Sequence, residues 1–415
     1  MHIEALTETP TETPTEVVVI GGGYAGVMAA NRLTQRDDVN VTLVNPRPDF
    51  VQRIRLHQAV AGTHTALADY GRVLNQRVRL VVDSVTRIDA ANRTAALADG
   101  EALRYDYLVY AVGSASSGAD VPGLAESGYP IASLEQAKRL KPVLDAQPRS
   151  VAVTVVGAGP AGIETAAELA EQGRAVTLVC GGRLGPSLPE KGRASVARHL
   201  AKLGVRVVDG AGSVVTAVER DAVRLADGRE LPSAITVWAA GFSVPDLAAR
   251  SGLSTDAVGR LLTDETLTSV DDPRIVAAGD SAAPSGMPLR MSCQSAVQLG
   301  PQAAETILAR LAGREPAAID VGFVALCVSL GRRAAVFQML HKDDTPKNIY
   351  IGGRVGARIK EFICRGTVWQ LKTEGRKPGK HTWWTKDAER RERVQALGEE
   401  ALREKALREK ALTSR

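Results

Sequence analysis

The sequence predicts an α/β chain: two three-layer units, each a parallel sheet between helices, followed by a smaller α+β region. Two observations predict it. A strand, a glycine-rich turn and an alanine-rich helix occur in that order twice, at VVVIGGGYAGVMAANRL from Val17 and at VAVTVVGAGPAGIETAAELAEQG from Val151. Further short apolar runs end in glycine or Gly-Asp, as buried parallel strands do at their carboxyl ends. A length of 415 residues suits two or three domains at roughly 150 residues each.

In the first unit, Gly21, Gly23 and Gly26 form G-x-G-x-x-G between strand and helix, the Rossmann-like fingerprint in its required context. The first glycine permits the tight turn, the second lets backbone approach a pyrophosphate, and the third lets helix and strand pack closely. Tyr24 and Ala25 open a helix whose first N–H groups would face the phosphates. Val39–Val44 is the second strand. Asn45 follows it, 19 residues past Gly26, where an acid normally meets the adenosine ribose. An amide there keeps a hydrogen bond but not a charged one. Arg53, Arg55 and His57 lie either on a solvated basic face or beside a cofactor. Segments 78–89 and 93–105 read as short strands, and 107–111 as a buried strand leaving through Gly113.

Gly157, Gly159 and Gly162 repeat the fingerprint, with Pro160 and Ala161 inside it. The next strand, 175–179, ends at Cys180, so the ribose position again lacks an acid. Arg183 follows. An acid favours a free ribose 2′-hydroxyl and a nearby arginine accommodates a 2′-phosphate, which sets NADPH beside NADH. Strand 235–241 leaves through Gly241, and strand 275–280 ends in Gly279 and Asp280. A carboxylate at that carboxyl end either meets cofactor hydroxyls or caps the next segment. Residues 292–308 read as a helix, and 321–340 as a strand pair turning at Gly331. Val355, Ile359, Phe362 and Ile363 share a helical stripe flanked by Arg354, Arg358, Lys360 and Arg365. Core packing is the first expectation for that stripe, and a lipid headgroup layer the second. The repeated ALREK tail reads as a solvated helix with local ion pairs. Residues 1–16, with TETPTETPTE, read as disordered.

Composition narrows the function classes. Residues from His341 onward carry 19 Lys plus Arg against 11 Asp plus Glu, so +8 resides there and −3 in residues 1–340. The basic end suits an acidic partner or anionic surface, but no nucleic-acid reading module accompanies it. No run approaches the roughly 20 apolar residues of a membrane span, and no basic-then-apolar N-terminus suggests a secretory signal. The four cysteines are scattered, without C-x-x-C, which fits a reducing cytosol and gives no expectation of a metal.

The order of these features resembles the two-dinucleotide flavoproteins of the pyridine nucleotide–disulfide reductase superfamily, over roughly residues 17–340. The resemblance implies that FAD is held by a discontinuous domain, 17–115 with 245–318, and NAD(P)H by 116–244. Residues 319–415 would form the C-terminal domain. It assigns Gly21, Gly23, Tyr24, Ala25, Gly26, Asn45, Arg53, Gly113, Gly279 and Asp280 to FAD contacts, and gives Gly241, at the end of the second unit, as cofactor-binding. Gly157, Gly159, Pro160, Ala161, Gly162 and Arg183 go to the nicotinamide nucleotide. A disulfide-reducing branch needs a cysteine pair against the flavin, which this sequence lacks. Residues 293–298, Cys-Gln-Ser-Ala-Val-Gln, look like the A-Q-x-A-x-Q quinone signature of type II NADH:quinone dehydrogenases. Gln294 and Gln298 would share a helix face beside the acceptor, and Glu164 matches a glutamate near the nicotinamide. The implied partners are NAD(P)H and a quinone-like acceptor. The implied location is cytoplasmic, with peripheral membrane contact through the C-terminal region, and a homodimer is one assembly it allows. A ferredoxin-reductase-like enzyme, a slow regulatory flavoprotein like apoptosis-inducing factor, and a flavin monooxygenase are the rival expectations.

Overall fold

The computed structural model describes residues 14–118, 120–382 and 385–413. Its first sheet uses β1 (Thr15–Ile20), β2 (Val39–Val44), β3 (Val78–Val81), β4 (Tyr107–Tyr110) and, from much later in the chain, β10 (Ile275–Ala277). The spatial order is β10-β4-β1-β2-β3, parallel throughout. The second sheet uses β5 (Gly128–Pro130), β6 (Val153–Val156), β7 (Val176–Val179), β8 (Arg206–Val208) and β9 (Ile235–Trp238), ordered β5-β9-β6-β7-β8 and also parallel. The central strands are buried along both faces, which is why they read as continuous apolar runs and not as alternating ones. The strand of the first fingerprint starts at Thr15, two residues earlier than its β-branched run suggests. The remainder of the expected disordered segment, 1–13, lies outside the described residues.

Helix α1 (Tyr24–Leu33) follows β1, and α4 (Pro160–Glu171) follows β6. Between the units lie α2 (Leu56–Ala61) and α3 (Leu134–Ala146), with α5 (Glu190–Lys202) beyond β7. The chain crosses between the units twice, and Ala115–Ser116 pairs with Phe242–Ser243 as a short antiparallel ribbon at the crossing.

Helix α6 (Cys293–Leu311) is capped by Ser292, whose Oγ accepts the Ser295 N–H, and packs along α1. Gly300 makes that approach possible, since a Cβ there would stand 2.3 Å from the Ala25 carbonyl oxygen. The C-terminal sheet is the meander β11 (Ala325–Ser329), β12 (Ala335–Leu340) and β13 (Pro346–Ile351). The pair turning near Gly331 is present as read, with Gly331 at φ +77°. The third strand, PKNIYI, is polar and largely exposed, so it carries no strand pattern. Helix α7 (Gly353–Arg376) then returns across the sheet to α1, and α8 (Arg390–Thr413) is the expected tail helix.

The α7 stripe departs from its first expectation: Ile359 and Ile363 are half-buried, and the other two residues face outward. Val355 and Phe362 are 56% and 76% exposed, and Trp369, one heptad further, is 65% exposed. The buried side of α7 is instead Gly356, Cys364, Thr367, Leu371 and Glu374. Periodicity found the apolar line but not the inward face. That face is set by buried ionic contacts and by Gly356, which lies against the Ala335 carbonyl.

Candidate active site

The two glycine loops are built alike. Gly21 has φ +102°, and a Cβ on it would sit 2.3 Å from the Ala111 carbonyl oxygen. A Cβ on Gly26 would sit 1.8 Å from the Gly21 carbonyl oxygen, so the helix touches its own turn through this residue. A Cβ on Gly23 would meet nothing within 4 Å. Gly23 is also the N-cap of α1, with no side-chain cap and no acid in the first turn, so the helix's positive end is left free for an anion. In the second loop a Cβ on Gly162 would stand 1.7 Å from the Gly157 carbonyl oxygen, and one on Gly159 would again meet nothing. Pro160 occupies the first helical position, where a missing N–H costs nothing. Two open cradles at two helix N-termini fit two dinucleotide pyrophosphates.

Asn45 is placed differently from the ribose contact expected of it. Its Oδ1 accepts the Gly22 N–H at 3.0 Å and its Nδ2 donates to the Arg47 carbonyl at 2.9 Å, so the amide ties the glycine turn to the loop after β2. Tyr70 braces the same turn by donating to the Gly22 carbonyl at 2.6 Å. Nothing near Tyr70 in sequence marks it for this role.

Asp280 stands at the carboxyl end of β10, beside α1, with Gly279 at φ +71° making the turn. Its Oδ2 accepts from Ser114 Oγ at 2.7 Å. Arg53 donates to the same hydroxyl at 3.1 Å and stands 4.0 Å from the carboxylate. The other oxygen, Oδ1, is buried with no partner among the described residues. A buried carboxylate oxygen beside a dinucleotide cradle fits a hydroxyl of the FAD ribityl chain. Gly113, at φ +74°, brings the exit of β4 under Arg53. Gly241, at φ +71°, shapes the inter-unit crossing beside Ser117.

A buried ionic cluster lies where the second unit meets the C-terminal sheet. Glu164 Oε1 is 2.8 Å from Lys360 Nζ and accepts the Ser329 N–H at 2.9 Å, while Oε2 is 3.6 Å from His57 Nδ1. Lys360 also donates to the Cys327 carbonyl at 3.1 Å, and His57 Nε2 is 3.4 Å from Ser329 Oγ. Burial opposes both charges of the pair, yet Glu164 holds the Lys360 pKa above its usual value. Lys360, His57 and the Ser329 N–H hold the Glu164 carboxyl below its usual value against the same burial. Burial pushes His57 down to about 4, so it is neutral near pH 7. Next to this pair, Arg55 makes a bidentate contact with Glu361 at 2.9 and 3.1 Å, a second tie from the first unit to α7.

One strand edge organises the cluster. The even-numbered residues of β11 face β12, and the odd-numbered residues turn their backbone groups outward. Gln294, from α6, lays its amide against the Ala325 carbonyl and the Val324 N–H; turned so that both are satisfied, it donates to the carbonyl at 3.0 Å and accepts the N–H at 2.9 Å. Lys360, from α7, takes the Cys327 carbonyl, and Glu164, from α4, takes the Ser329 N–H. Gln294 and Gln298 therefore share a helix but not a situation. The Gln294 amide is consumed by β11. Gln298 donates Nε2 to the Gln294 carbonyl at 2.9 Å, and its Oε1 is buried with no partner among the described residues.

The cysteines act as neutral thiols: burial pushes Cys293 up to about 11 and Cys327 to about 12. All four are free. Arg183 is exposed on the loop after β7, with no hydrogen bond or ion pair among the described residues.

The sequence model of the pyridine nucleotide-disulphide oxidoreductases matches residues 15–303. The chain belongs to that family. It is an FAD-dependent oxidoreductase, and the family's second nucleotide is a nicotinamide dinucleotide. An NADH dehydrogenase-like protein of Mycobacterium tuberculosis is 31% identical over 356 residues, covering 78% of this chain and 87% of the relative. A type II NADH:quinone oxidoreductase of the same organism is 30% identical, covering 75% and 76%. Among solved structures, NDH2 from Plasmodium falciparum in complex with NADH superposes with a TM-score of 0.73 at 14% identity, covering 87% of this chain and 96% of that one. The likeness to NDH2 is one of fold. Among the described residues no helix is long and apolar enough to cross a membrane.

Proposed function

We propose that this chain oxidises NAD(P)H and passes the electrons to a quinone. The observation that carries the reading is the β11 edge, which gathers Glu164 from the second glycine unit, Lys360 from α7 and Gln294 from α6, with Gln298 bonded to the Gln294 carbonyl. The relatives named for NADH:quinone chemistry support the same reading.

Bound FAD would supply the hydride acceptance that no side chain of the protein provides. Its holding residues would be Gly21, Gly23 and Gly26 at the pyrophosphate, and Asp280 at the ribityl chain. The chain's own residues then have distinct tasks. Gly157, Gly159 and Gly162 seat the nicotinamide nucleotide, and Arg183 stands free on the loop where a 2′-phosphate would lie. Glu164 fixes Lys360 in its charged form inside the protein. That charge stabilises the negative charge that develops on a quinone oxygen as electrons arrive. Gln298 orders the α6 end of the site. Its unpaired Oε1 accepts from the hydroquinone hydroxyl, or its amide turns to donate to the quinone carbonyl. The buried thiols, held neutral, are poor nucleophiles, which disfavours disulfide chemistry.

The exposed line Val355, Phe362 and Trp369, flanked by exposed Arg358 and Arg365, fits a helix face resting in a headgroup layer where quinones reside. Stopped-flow measurement of the two half-reactions tests the acceptor assignment. Gln298→Ala should slow oxidation of the reduced flavin by a short-chain quinone by roughly tenfold, the loss of one good hydrogen bond to a charged or polarised group. Flavin reduction by NADH should stay within twofold. An equal loss in both halves would overturn the assignment.

A further inference from the structure

One buried carboxyl has no task in this scheme. Glu168 lies one turn after Glu164 on α4 and is 1% exposed. Its Oε1 accepts from Thr63 Oγ1 at 2.6 Å, and its Oε2 is buried without a partner among the described residues. Thr63 lies on the wall of a cavity of about 530 Å³ between α2 and α3, with His64, Thr65, Lys138 and Lys141. Within the cavity wall His64 accepts the Ala66 N–H on Nδ1 at 2.8 Å, and Lys141 is paired with Asp145.

Quinone reduction gives this arrangement a use. NAD(P)H plus quinone plus one proton gives NAD(P)⁺ plus hydroquinone. Two electrons and one proton arrive with the hydride, and the second proton must come from water. The Lys360 and Glu164 side chains are only 13% and 8% exposed, so that proton needs a route to them. We propose that Glu168 loads this proton from the Thr63 cavity and delivers it to the His57–Glu164–Lys360 cluster; this rests on the quinone reading above.

The geometry supports each leg. Thr63 Oγ1 connects the cavity wall to Glu168 directly. Glu164 and Glu168 are four apart on α4, so their side chains leave the helix on the same face. His57, neutral and with one donor and one acceptor nitrogen, lies between Glu164 Oε2 and Ser329 Oγ. Burial favours Glu168 carrying a proton. Burial raises its pKa, with Glu164 and Glu171 on the same helix adding to the rise, against the Thr63 bond and Arg332. His57 on α2 and His64 in the cavity wall are themselves held below their ordinary values by burial, so neither competes for the proton near pH 7. A group poised this way accepts a proton from solvent and gives it up when a base forms nearby.

The test uses the flavin-loaded enzyme, a short-chain quinone and ferricyanide, which takes electrons without protons. Glu168→Gln keeps the shape and the Thr63 contact but carries no exchangeable acid. It should slow oxidation of the enzyme by quinone by roughly 10²-fold, the usual worth of a positioned proton donor. It should leave ferricyanide reduction within twofold. Added formate or azide, entering the cavity as small acids, should restore part of the quinone rate. Thr63→Val should show a smaller loss of the same selectivity. Infrared spectra of the resting enzyme should contain a protonated-carboxyl band that Glu168→Gln removes. Quinone turnover unchanged by Glu168→Gln, equal loss with both acceptors, or no such band would each overturn the route. A native enzyme that reduces ferricyanide but no quinone would overturn the acceptor reading itself, and the route with it.

Discussion

Replacing Lys360 by methionine removes the cation and keeps most of the side-chain volume. In the native protein Lys360 and Glu164 are 13% and 8% exposed and 2.8 Å apart, so each charge depends on the other. Breaking a buried pair from one side costs about 3–5 kcal/mol, because the remaining charge is left without its partner. Here the Ser329 N–H and His57 still face the carboxylate, which puts the expected loss at the lower end, about 3 kcal/mol near pH 8. The pH dependence gives the argument its direction. In the native protein the Glu164 pKa lies below its usual 4.5, so its contribution is complete above 4.5 and is lost as pH falls through the depressed value. In Lys360→Met, burial dominates and raises the Glu164 pKa above 4.5. The folded variant then binds a proton more readily than the unfolded chain, and its stability grows as pH falls towards 4.5. The deficit against the native protein should therefore shrink between pH 8 and pH 5. Guanidinium unfolding midpoints of the native protein, Lys360→Met, Glu164→Gln and the double variant, at pH 8 and pH 5, measure this. The double variant should be less destabilised than the sum of the singles by about 1–3 kcal/mol at pH 8. Additive losses that do not change with pH would refute the charge-pair account.

Three further outcomes follow from the geometry. Gly26→Ala places its Cβ 1.8 Å from the Gly21 carbonyl and should impair folding and flavin retention together; Gly23→Ala meets no protein atom and should lose flavin affinity at unchanged thermal stability, read by absorbance and by melting of the flavin-free protein. If Arg183 receives a 2′-phosphate, Arg183→Ala should raise the KM for NADPH roughly tenfold, as loss of a charged hydrogen bond does, and leave NADH unchanged. Phe362→Ser with Trp369→Ser should weaken sedimentation with anionic phospholipid vesicles and leave NADH–ferricyanide activity intact, since both side chains are largely exposed.

Where local sequence and tertiary role coincide, the fold was legible. The two glycine loops have the geometry expected of them because the constraint is local: a Cβ on Gly26 would clash with Gly21, five residues away, and one on Gly162 with Gly157. Strand β10 read as apolar, but its insertion next to β4 joins residues 167 apart, such as Ile275 and Leu108, and only the family resemblance supplied that. Asn45 occupies the place of the usual acid, yet its amide closes on Gly22, because an uncharged side chain next to a free backbone N–H pairs with it. The α7 stripe misled for a different reason. Hydrophobic periodicity assumes that the buried side is the apolar one, and here the buried side carries Lys360 and Glu374.

The paired glutamines show how two residues of one motif can meet different surroundings. Gln294 and Gln298 are one turn apart, and spacing alone treats them as equals. An amide beside an open strand edge is drawn to the backbone groups of that edge, because leaving them buried and unpaired would cost more than the amide could gain elsewhere. Gln294 meets the β11 edge and is consumed by it. Lys360 and Glu164 meet the same edge but bring charges, so each satisfies a backbone group and still keeps its partner. Gln298, one turn further from the strand, retains a free acceptor. The edge of a three-stranded meander thus engages Gln294, Lys360 and Glu164, from three helices, and leaves the Gln298 acceptor atom without a partner among the described residues. No local sequence pattern records that sorting, since the strand that imposes it lies 30 residues beyond the glutamines.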